Sequence, residues 1–398
     1  MKKTHNVKAL LLTGALLAVA VTGGNSAQAQ SCSATWTGNA GDGKWSTASN
    51  WSPRRVPGAT SDVCIPTFTT ADATPPISVH SIQVSEGASL LIGSGKFSIA
   101  TSLANQGFIT LTGTTLSAAS IEQPAPGETD SYANSSITSP AFSNTGTVYV
   151  GPGGNLRLAD NPVQLENGTL SGGSWLVSSG VLVVPSDISQ ITTQGTVVSI
   201  DSPGAAVRDA SGHNALATLT SVGSGVALAI SYGASLTVAQ GLTSQGVIDV
   251  GTGSGESSLT ISGTYTQASG GGTNMLGGSL SASSVSVEPG STLSGNGTVL
   301  SSITNNGTVA PQGSLTVTGS YSQTAGAALT EQFGSTLHVT SNATLSGALN
   351  VTVNLRHPPQ PGAKYTALTF GSLSGSFTTH TAGFTLTTSA NSIQVTKQ

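Results

Sequence analysis

The stretch SITNNGTVAPQGSLTVTGSYSQTAGAAL, residues 302–329, decides the fold. In it, aliphatic residues alternate with Ser, Thr and Asn over short runs, and Gly ends each run. This pattern predicts short β-strands joined by tight turns. The stretch contains no charged residue. A chain built this way can be an enzyme scaffold, an adhesive surface or a structural element.

The composition of the whole chain resembles that stretch. Only 7% of the 398 residues are charged and 5% are aromatic, whereas 51 are Gly. Mean hydropathy is +0.12, so the chain lacks the high charge and low hydrophobicity that keep a polypeptide disordered. We expect one elongated repeat array with a core of small aliphatic residues.

Two sequence units recur along the chain. The first has a polar residue, then Gly, then a β-branched strand, and it occurs at Gly107, Gly146, Gly168, Gly195, Gly246, Gly297 and Gly307. The second has Gly, small residues and then Leu, and it occurs at Gly87, Gly153, Gly233, Gly290, Gly313 and Gly334. The intervals from Gly195 to Gly246 and from Gly246 to Gly297 are both 51 residues. Recurrence on this scale is typical of solenoids.

We therefore predict an all-β fold, a parallel β-helix (β-solenoid), with a right-handed coil. A β-sandwich of this size would carry larger aromatic residues on its inner faces. The Asn-Gly and Gln-Gly pairs fit the corners of a coil, because these residues tolerate left-handed conformations and stacked amides can bond along the axis. In the strand near residue 350, alternation predicts inward and outward sets: Leu349, Val351, Val353 and Leu355 against Asn350, Thr352 and Asn354.

The N-terminus has the features of a secretory signal peptide. Lys2, Lys3 and Lys8 precede an apolar run at 9–21, and the small-residue site Ala27-Gln28-Ala29 permits cleavage before Gln30. The apolar run is shorter than the roughly 20 residues of a membrane-spanning helix. We expect residues 1–29 to be removed and the mature chain, without an integral membrane segment, to be secreted or displayed at the cell surface.

Charge limits the partners. Without the three signal lysines, 9 cations remain against 16 carboxylates, a formal charge of −7. No Lys or Arg lies between Arg208 and Arg356. Nucleic acids and anionic membranes require clustered cations, so we expect neither as a partner. Glycans or other cell-surface components remain, and the sequence leaves the oligomeric state open.

The start of the mature chain differs from the rest. Cys32 and Cys64 predict a disulfide in an exported protein. Trp36, Trp45 and Trp51 lie between them, either packed as part of a cap or exposed as a ligand-binding platform for sugars. We assign residues 30–76 to an N-terminal cap segment, 77–356 to solenoid repeats and 357–398 to a C-terminal cap rich in aromatic residues, since the end turns of a solenoid need covering.

A family resemblance supports this organisation. Residues 293–353 contain a Gly-Asn-Gly-Thr-Val unit, an Asn-Asn-Gly unit, a Gly-Ser-Tyr-x-Gln unit and a Leu-x-Val unit, in that order, and PGAKYTALTFGSLSGSF follows at 361–377. This order resembles the C-terminal part of bacterial autotransporter passenger domains and related secreted β-helix proteins. The resemblance implies the passenger-like fold. No C-terminal translocator barrel follows NSIQVTKQ, so we do not expect self-secretion.

The best candidate for chemistry is the segment SIDSPGAAVRDASGHNA, residues 199–215. It brings Asp201, Arg208, Asp209 and His213 close together in an otherwise neutral chain, and a corner loop can unite them as catalytic groups. The alternative is a solvated turn stabilised by Asp209. We predict no cofactor and no metal site, since the remaining histidines lack partner ligands at suitable spacing.

These observations leave three classes of function. The first is a non-enzymatic, adhesin-like or cell-surface structural protein that presents a Ser/Thr/Asn-rich surface, and it is the class we favour. The second is a carbohydrate-active enzyme, a polysaccharide lyase or hydrolase, or a carbohydrate-binding protein on the same scaffold. The third is an assembly subunit whose ends stack. Ice binding is disfavoured because regular Thr-x-Thr rows are not evident on successive turns.

Overall fold

The computed structural model describes residues 31–252 and 255–398. The predicted signal peptide lies outside these residues. The described chain forms a β-solenoid of about 14 turns, which confirms the predicted fold class. A turn has three strands, and each strand pairs in parallel with its equivalent one turn later, so three sheets run along the solenoid. We call these sheets face 1, face 2 and face 3, in the order in which the chain visits them.

The strands of each face are short. Face 1 comprises Ala34–Trp36, Trp51–Ser52, Asp62–Ile65, Ser81–Val84, Ser102–Asn105, Ser120–Gln123, Ala141–Asn144, Leu165–Glu166, Thr169–Ser171, Gln190–Thr192, Ser221–Val222, Leu242–Ser244, Thr264–Gln267, Ser284–Val287, Ile303–Asn305, Tyr321–Gln323, Asn342–Leu345 and Ser372–Gly375. Face 2 comprises Thr70–Ala73, Ser89–Ile92, Phe108–Leu111, Glu128–Ser131, Thr147–Val150, Ser174–Ser178, Val197–Asp201, Ala227–Ser231, Val247–Val250, Ala328–Gln332, Ala348–Thr352 and Thr379–His380. Face 3 comprises Ile77–Val79, Gly95–Ile99, Thr114–Ser117, Asn134–Thr138, Asn155–Leu158, Val181–Val183, Ala206–Arg208, Ser235–Val238, Ser258–Ile261, Thr336–Val339 and Lys364–Thr369.

Three longer strands, Gly272–Ser281, Thr292–Val299 and Thr308–Val317, run from face 2 into face 3. The final two strands, Phe384–Thr388 and Ser392–Lys397, form an antiparallel hairpin, and a short 3₁₀ helix spans Ala48–Asn50.

Alternation along each strand builds the core. Residues in register on successive turns stack in the same direction, as in the inward column of Leu293, Val309, Leu329 and Leu349 on face 2. The predicted alternation near residue 350 is correct as far as Thr352, where the strand ends. Leu355 lies beyond the strand and is 89% exposed, so its predicted inward position is wrong.

The two repeat units use Gly for different reasons. All six glycines of the second unit have a positive φ, from 70° at Gly87 to 98° at Gly334, so they form left-handed turns. Most first-unit glycines do not. At Gly107, Gly146, Gly246 and Gly307, a Cβ would lie 2.1–2.5 Å from a carbonyl oxygen of the preceding turn. The left-handed conformation expected at these Asn-Gly and Gln-Gly corners is therefore wrong, and close stacking of turns explains the glycine.

The predicted amide stacking is confirmed at the corner between face 1 and face 2. Asn105 donates to Gln123 Oε1 at 2.9 Å, and Gln123 donates to Asn144 Oδ1 at 3.0 Å. The three side chains are buried. Since each amide both donates and accepts, the column satisfies polar groups that would be costly to bury alone.

The 51-residue interval does not correspond to a structural repeat. Gly195 and Gly246 precede face 2 strands, whereas Gly297 lies inside Thr292–Val299, where the chain passes from face 2 to face 3. One turn is much shorter: Val285 pairs with Ile303, and Ile303 with Tyr321, which is 18 residues each time. Two excursions interrupt the repeat, one at the hairpin of Leu165–Glu166 and Thr169–Ser171, the other between Arg208 and Ser221.

The N-terminal cap closes the first turns. Cys32 and Cys64 form the predicted disulfide, with 5.8 Å between their Cα atoms. The parallel coil begins inside the segment assigned to the cap, because Asp62–Ile65 already pairs with Ser81–Val84. Its first strands carry the same alternation as later ones, with Val63 and Ile65 buried. The cap proper is the segment before residue 62.

At the C-terminal end only face 3 is covered. The strand Ser392–Lys397 pairs antiparallel with Lys364–Thr369, the last strand of that face. Phe333 packs on Tyr365 at 4.6 Å between ring centroids and lies 6.1 Å from Phe384. The coil continues into the segment assigned to the cap, because Ser372–Gly375 and Thr379–His380 pair in parallel with the preceding turn.

Candidate functional site

Asp201 lies on face 2, away from the loop with which the sequence groups it. Its column neighbours are Ser178 on the preceding turn and Ser231 on the following one. Ser199 donates to Asp201 Oδ1 at 2.9 Å, and burial raises the pKa of this carboxyl against the opposing effect of its serine hydrogen bonds. Within the described residues, no hydrogen bond or ion pair joins Asp201 to Asp209 or His213.

Asp209 and His213 form a self-contained turn at the end of face 3. Asp209 Oδ1 accepts from the backbone N–H groups of Ser211 and His213, at 2.8 and 2.9 Å. Desolvation acts to raise the pKa of Asp209, but these backbone hydrogen bonds outweigh it and hold the pKa below its usual range. The guanidinium of Arg208 donates to Gly212 O at 2.7 Å. The loop therefore has the geometry of a capped turn, with its polar groups directed at its own backbone.

The three N-terminal tryptophans are buried, with 1–2% exposure. Trp51 packs edge-on against Trp36 and Trp45, at centroid distances of 5.0 and 4.6 Å, and Trp45 also contacts Phe97 of the coil. Trp51 Nε1 donates to Trp45 O at 2.7 Å. None of the three presents a ring face on which a sugar could stack, so their position corresponds to the core of the cap.

One carboxyl pair escaped the sequence reasoning. Glu128 and Asp130 are two apart on a face 2 strand, and both side chains point outward. Burial, and secondly repulsion from Glu128, raise the pKa of Asp130 to about 7, and the two carboxyls are hydrogen-bonded. Carboxyls in direct contact are closer than the about 5 Å of retaining glycosidases and the wider gap of inverting ones. The pair therefore shares a proton and leaves no room for a glycosidic bond.

Other features of an enzyme site are not present in residues 31–252 and 255–398. No group of three or more His, Cys, Asp and Glu is placed to hold a metal ion. An internal void of about 10 Å³ below Trp175 is lined by apolar side chains, including Leu182 and Val198, and is too small for a ligand.

The most regular surface is on face 1 in the C-terminal half. One outward position is a hydroxyl side chain on eight successive turns: Ser221, Thr243, Thr266, Ser286, Thr304, Ser322, Thr344 and Ser374. The outward position two residues earlier is polar on six of these turns: Thr264, Ser284, Ser302, Ser320, Asn342 and Ser372. We call these fourteen residues the polar array.

Hydrogen bonds connect the polar array along and across the turns. Thr264 and Ser284 are joined at 3.2 Å, and Ser372 donates to Asn342 Oδ1 at 3.0 Å. Asn342 Nδ2 also donates to Thr344 Oγ1 at 3.0 Å. With turns about 4.8 Å apart, the longer column extends roughly 34 Å, and the two columns lie about 7 Å apart. The array is therefore an ordered, uncharged surface with polar groups at fixed spacing.

The polar array corrects one sequence inference. Rows of the form hydroxyl-x-hydroxyl do recur on successive turns, as in Thr264 and Thr266, Ser284 and Ser286, then Ser302 and Thr304. Turns of 18–22 residues and a final one of 30 separate these rows, so their alignment depends on register rather than on a constant period. Ser and Asn stand at several positions, so the rows are not uniformly Thr.

No protein-family model matches the chain, and no curated protein matches it significantly. In the described part of the chain, no helix is long and apolar enough to cross a membrane.

Proposed function

We propose that this protein is an exported, non-enzymatic β-solenoid that attaches to an extracellular surface, in the manner of an adhesin, through the polar array. The observation that carries the proposal is the uninterrupted column of eight hydroxyl side chains on one sheet. A long row of weak hydrogen-bonding groups gains affinity by engaging many equivalent groups together. A neutral polysaccharide offers such groups at regular spacing, so we assign neutral, hydroxyl-rich glycan surfaces as the target.

Two features support this choice over the alternatives. The Asp209 turn and the Glu128–Asp130 pair lack the geometry of a lyase or hydrolase site. End-to-end stacking into a filament would need open strand edges at the end of the coil, and the hairpin of Phe384–Thr388 and Ser392–Lys397 occupies that position on face 3.

A bulky residue in the middle of the polar array should abolish close contact with a flat surface. Thr304 is exposed at the centre of the long column, and Tyr is well tolerated in strands, so Thr304→Tyr should fold normally. We expect adsorption to cellulose, chitin or another neutral polysaccharide to weaken by about tenfold. Asn350→Tyr, an exposed strand position on face 2, is the matched control. Equal weakening by both variants, or by neither, would refute the array as the attachment surface.

Ice is a second candidate target because it too is a flat, uncharged lattice of hydrogen-bonding groups. The recurrent rows of the polar array favour it. If the wild type inhibits ice recrystallisation and Thr304→Tyr does not, while no polysaccharide retains the protein, ice replaces glycans as the target.

A further inference from the structure

We propose a second binding site, on face 3 in the N-terminal half, that takes a linear acidic polysaccharide such as a polyuronate. This site is separate from the polar array in position and in ligand chemistry. It does not depend on the proposed attachment function.

The site is organised by a column of cations. On face 3, pairing places Lys96, Thr115, Ser136, Arg157, Val183 and Arg208 at equivalent outward positions on six successive turns. Three of the 9 cations of the chain beyond the signal segment therefore lie in one column. Lys96 and Arg157 are three turns apart, about 14 Å, and Arg157 and Arg208 are two turns apart, about 10 Å.

A groove runs beside this column. It has a volume of about 320 Å³ and is lined by hydroxyl and amide side chains with Arg157 at its border; the others are Thr114, Thr115, Asn134, Ser135, Ser136, Asn155 and Val183. Ser135 Oγ accepts from the backbone N–H of Gly113 and of Thr114, at 3.2 Å each, which fixes the wall of the groove. Asn134 and Asn155 are stacked in register and exposed.

The cations are available for a ligand. In the described part of the chain both ion pairs are between His and Asp, and neither involves Lys96 or Arg157. The outward residues of the six strands Gly95–Ile99 to Ala206–Arg208 include no carboxylate. A positive strip on a chain of net charge −7 concentrates the attraction for anions at this face.

The density of charge selects the ligand class. Duplex DNA carries one charge per about 1.7 Å, so the roughly 24 Å from Lys96 to Arg208 would set about 14 phosphates against three cations. A polyuronate has fewer charges per unit length and places hydroxyl groups between its carboxylates. Its carboxylates match Lys96 and the guanidinium of Arg157, and its hydroxyls match Thr115, Ser136 and the two asparagines.

The test is binding of the purified protein to oligogalacturonate, with the methyl ester of the same oligomer as the uncharged control. We expect the acid to bind, the ester to bind at least about tenfold more weakly, and added salt to weaken the acid's binding. Arg157→Gln, which removes the charge from an exposed side chain, should raise Kd by about tenfold. Arg54→Gln, an exposed arginine in the N-terminal cap, is the matched control and should leave Kd unchanged.

Equal binding of acid and ester, or equal losses from Arg157→Gln and Arg54→Gln, would overturn the proposal. Binding to phosphatidylserine vesicles that Arg157→Gln weakens, with no oligogalacturonate bound, would overturn it in favour of a membrane surface. Thr304→Tyr should leave oligogalacturonate binding intact, so failure of this site and failure of the polar array are distinguishable.

Discussion

Gly127→Ala is expected to lower the free energy of unfolding by about 3 kcal/mol. A Cβ at this position would lie 2.1 Å from the carbonyl oxygen of Asn105 on the preceding turn and 2.8 Å from that of Pro124. Both are backbone atoms, and the Asn105 amide is held in the buried amide column, so neither can move aside cheaply. Denaturant unfolding gives the loss. Because each turn contacts only its neighbours, hydrogen exchange should rise chiefly in the adjoining turns.

Gly272→Ala is the matched control. Gly272 begins a face 2 strand and does not have a positive φ, and a Cβ added there would have no heavy atom within 4 Å beyond its chain neighbours. Alanine there should be neutral or stabilising by up to about 1 kcal/mol, because Gly in a strand costs chain entropy. A loss at Gly272 as large as that at Gly127 would contradict the close stacking of turns.

Glu331→Gln is expected to make the stability of the protein less sensitive to rising pH. Glu331 is buried, with one carboxyl oxygen 3.2 Å from the Tyr365 hydroxyl. Burial raises the pKa of Glu331 well above its usual value, against the opposing hydrogen bonds from Tyr365 and from the backbone of Leu337. The folded protein therefore keeps a proton that the unfolded chain releases.

The sign follows from that proton. The contribution of Glu331 to stability is fully present below the ordinary carboxyl pKa and is lost as the pH rises towards the folded-state pKa. The loss amounts to about 1.4 kcal/mol for each pH unit between the two values. Asp130 titrates in the same direction, so the measurement is the difference between wild type and Glu331→Gln in unfolding free energy from about pH 5 to about pH 7.

Glu122→Gln, an exposed outward position on face 1, is the control and should follow the wild type across this range. If the wild type and Glu331→Gln show parallel pH dependences, the carboxyl of Glu331 is not held neutral in the folded protein.

Local features of the sequence predicted the fold well. Alternation, the Gly-small-Leu unit and the cysteine pair are each readable within a few residues, and they gave the solenoid, its left-handed turns and the Cys32–Cys64 bridge. The role of Gly107 was not readable in this way. Its restriction comes from the carbonyl of Ala88 on the preceding turn, and a single strand carries no sign of that neighbour.

The surface sites could not be predicted because they depend on register between turns. Lys96, Arg157 and Arg208 are separated by 61 and 51 residues and align only once each turn's length and the hairpin after Leu165 are known. The same holds for the polar array. Conversely, proximity in sequence was misleading for Asp201 and Asp209, since a corner of the coil places them on different faces.

The most direct test of surface attachment without catalysis is to incubate the protein with insoluble neutral polysaccharides and measure retained protein and released sugar in the same samples. We predict retention that Thr304→Tyr reduces, with no sugar released. Release of sugar that disappears in Asp201→Ala or Asp209→Ala would contradict the account and establish an enzyme.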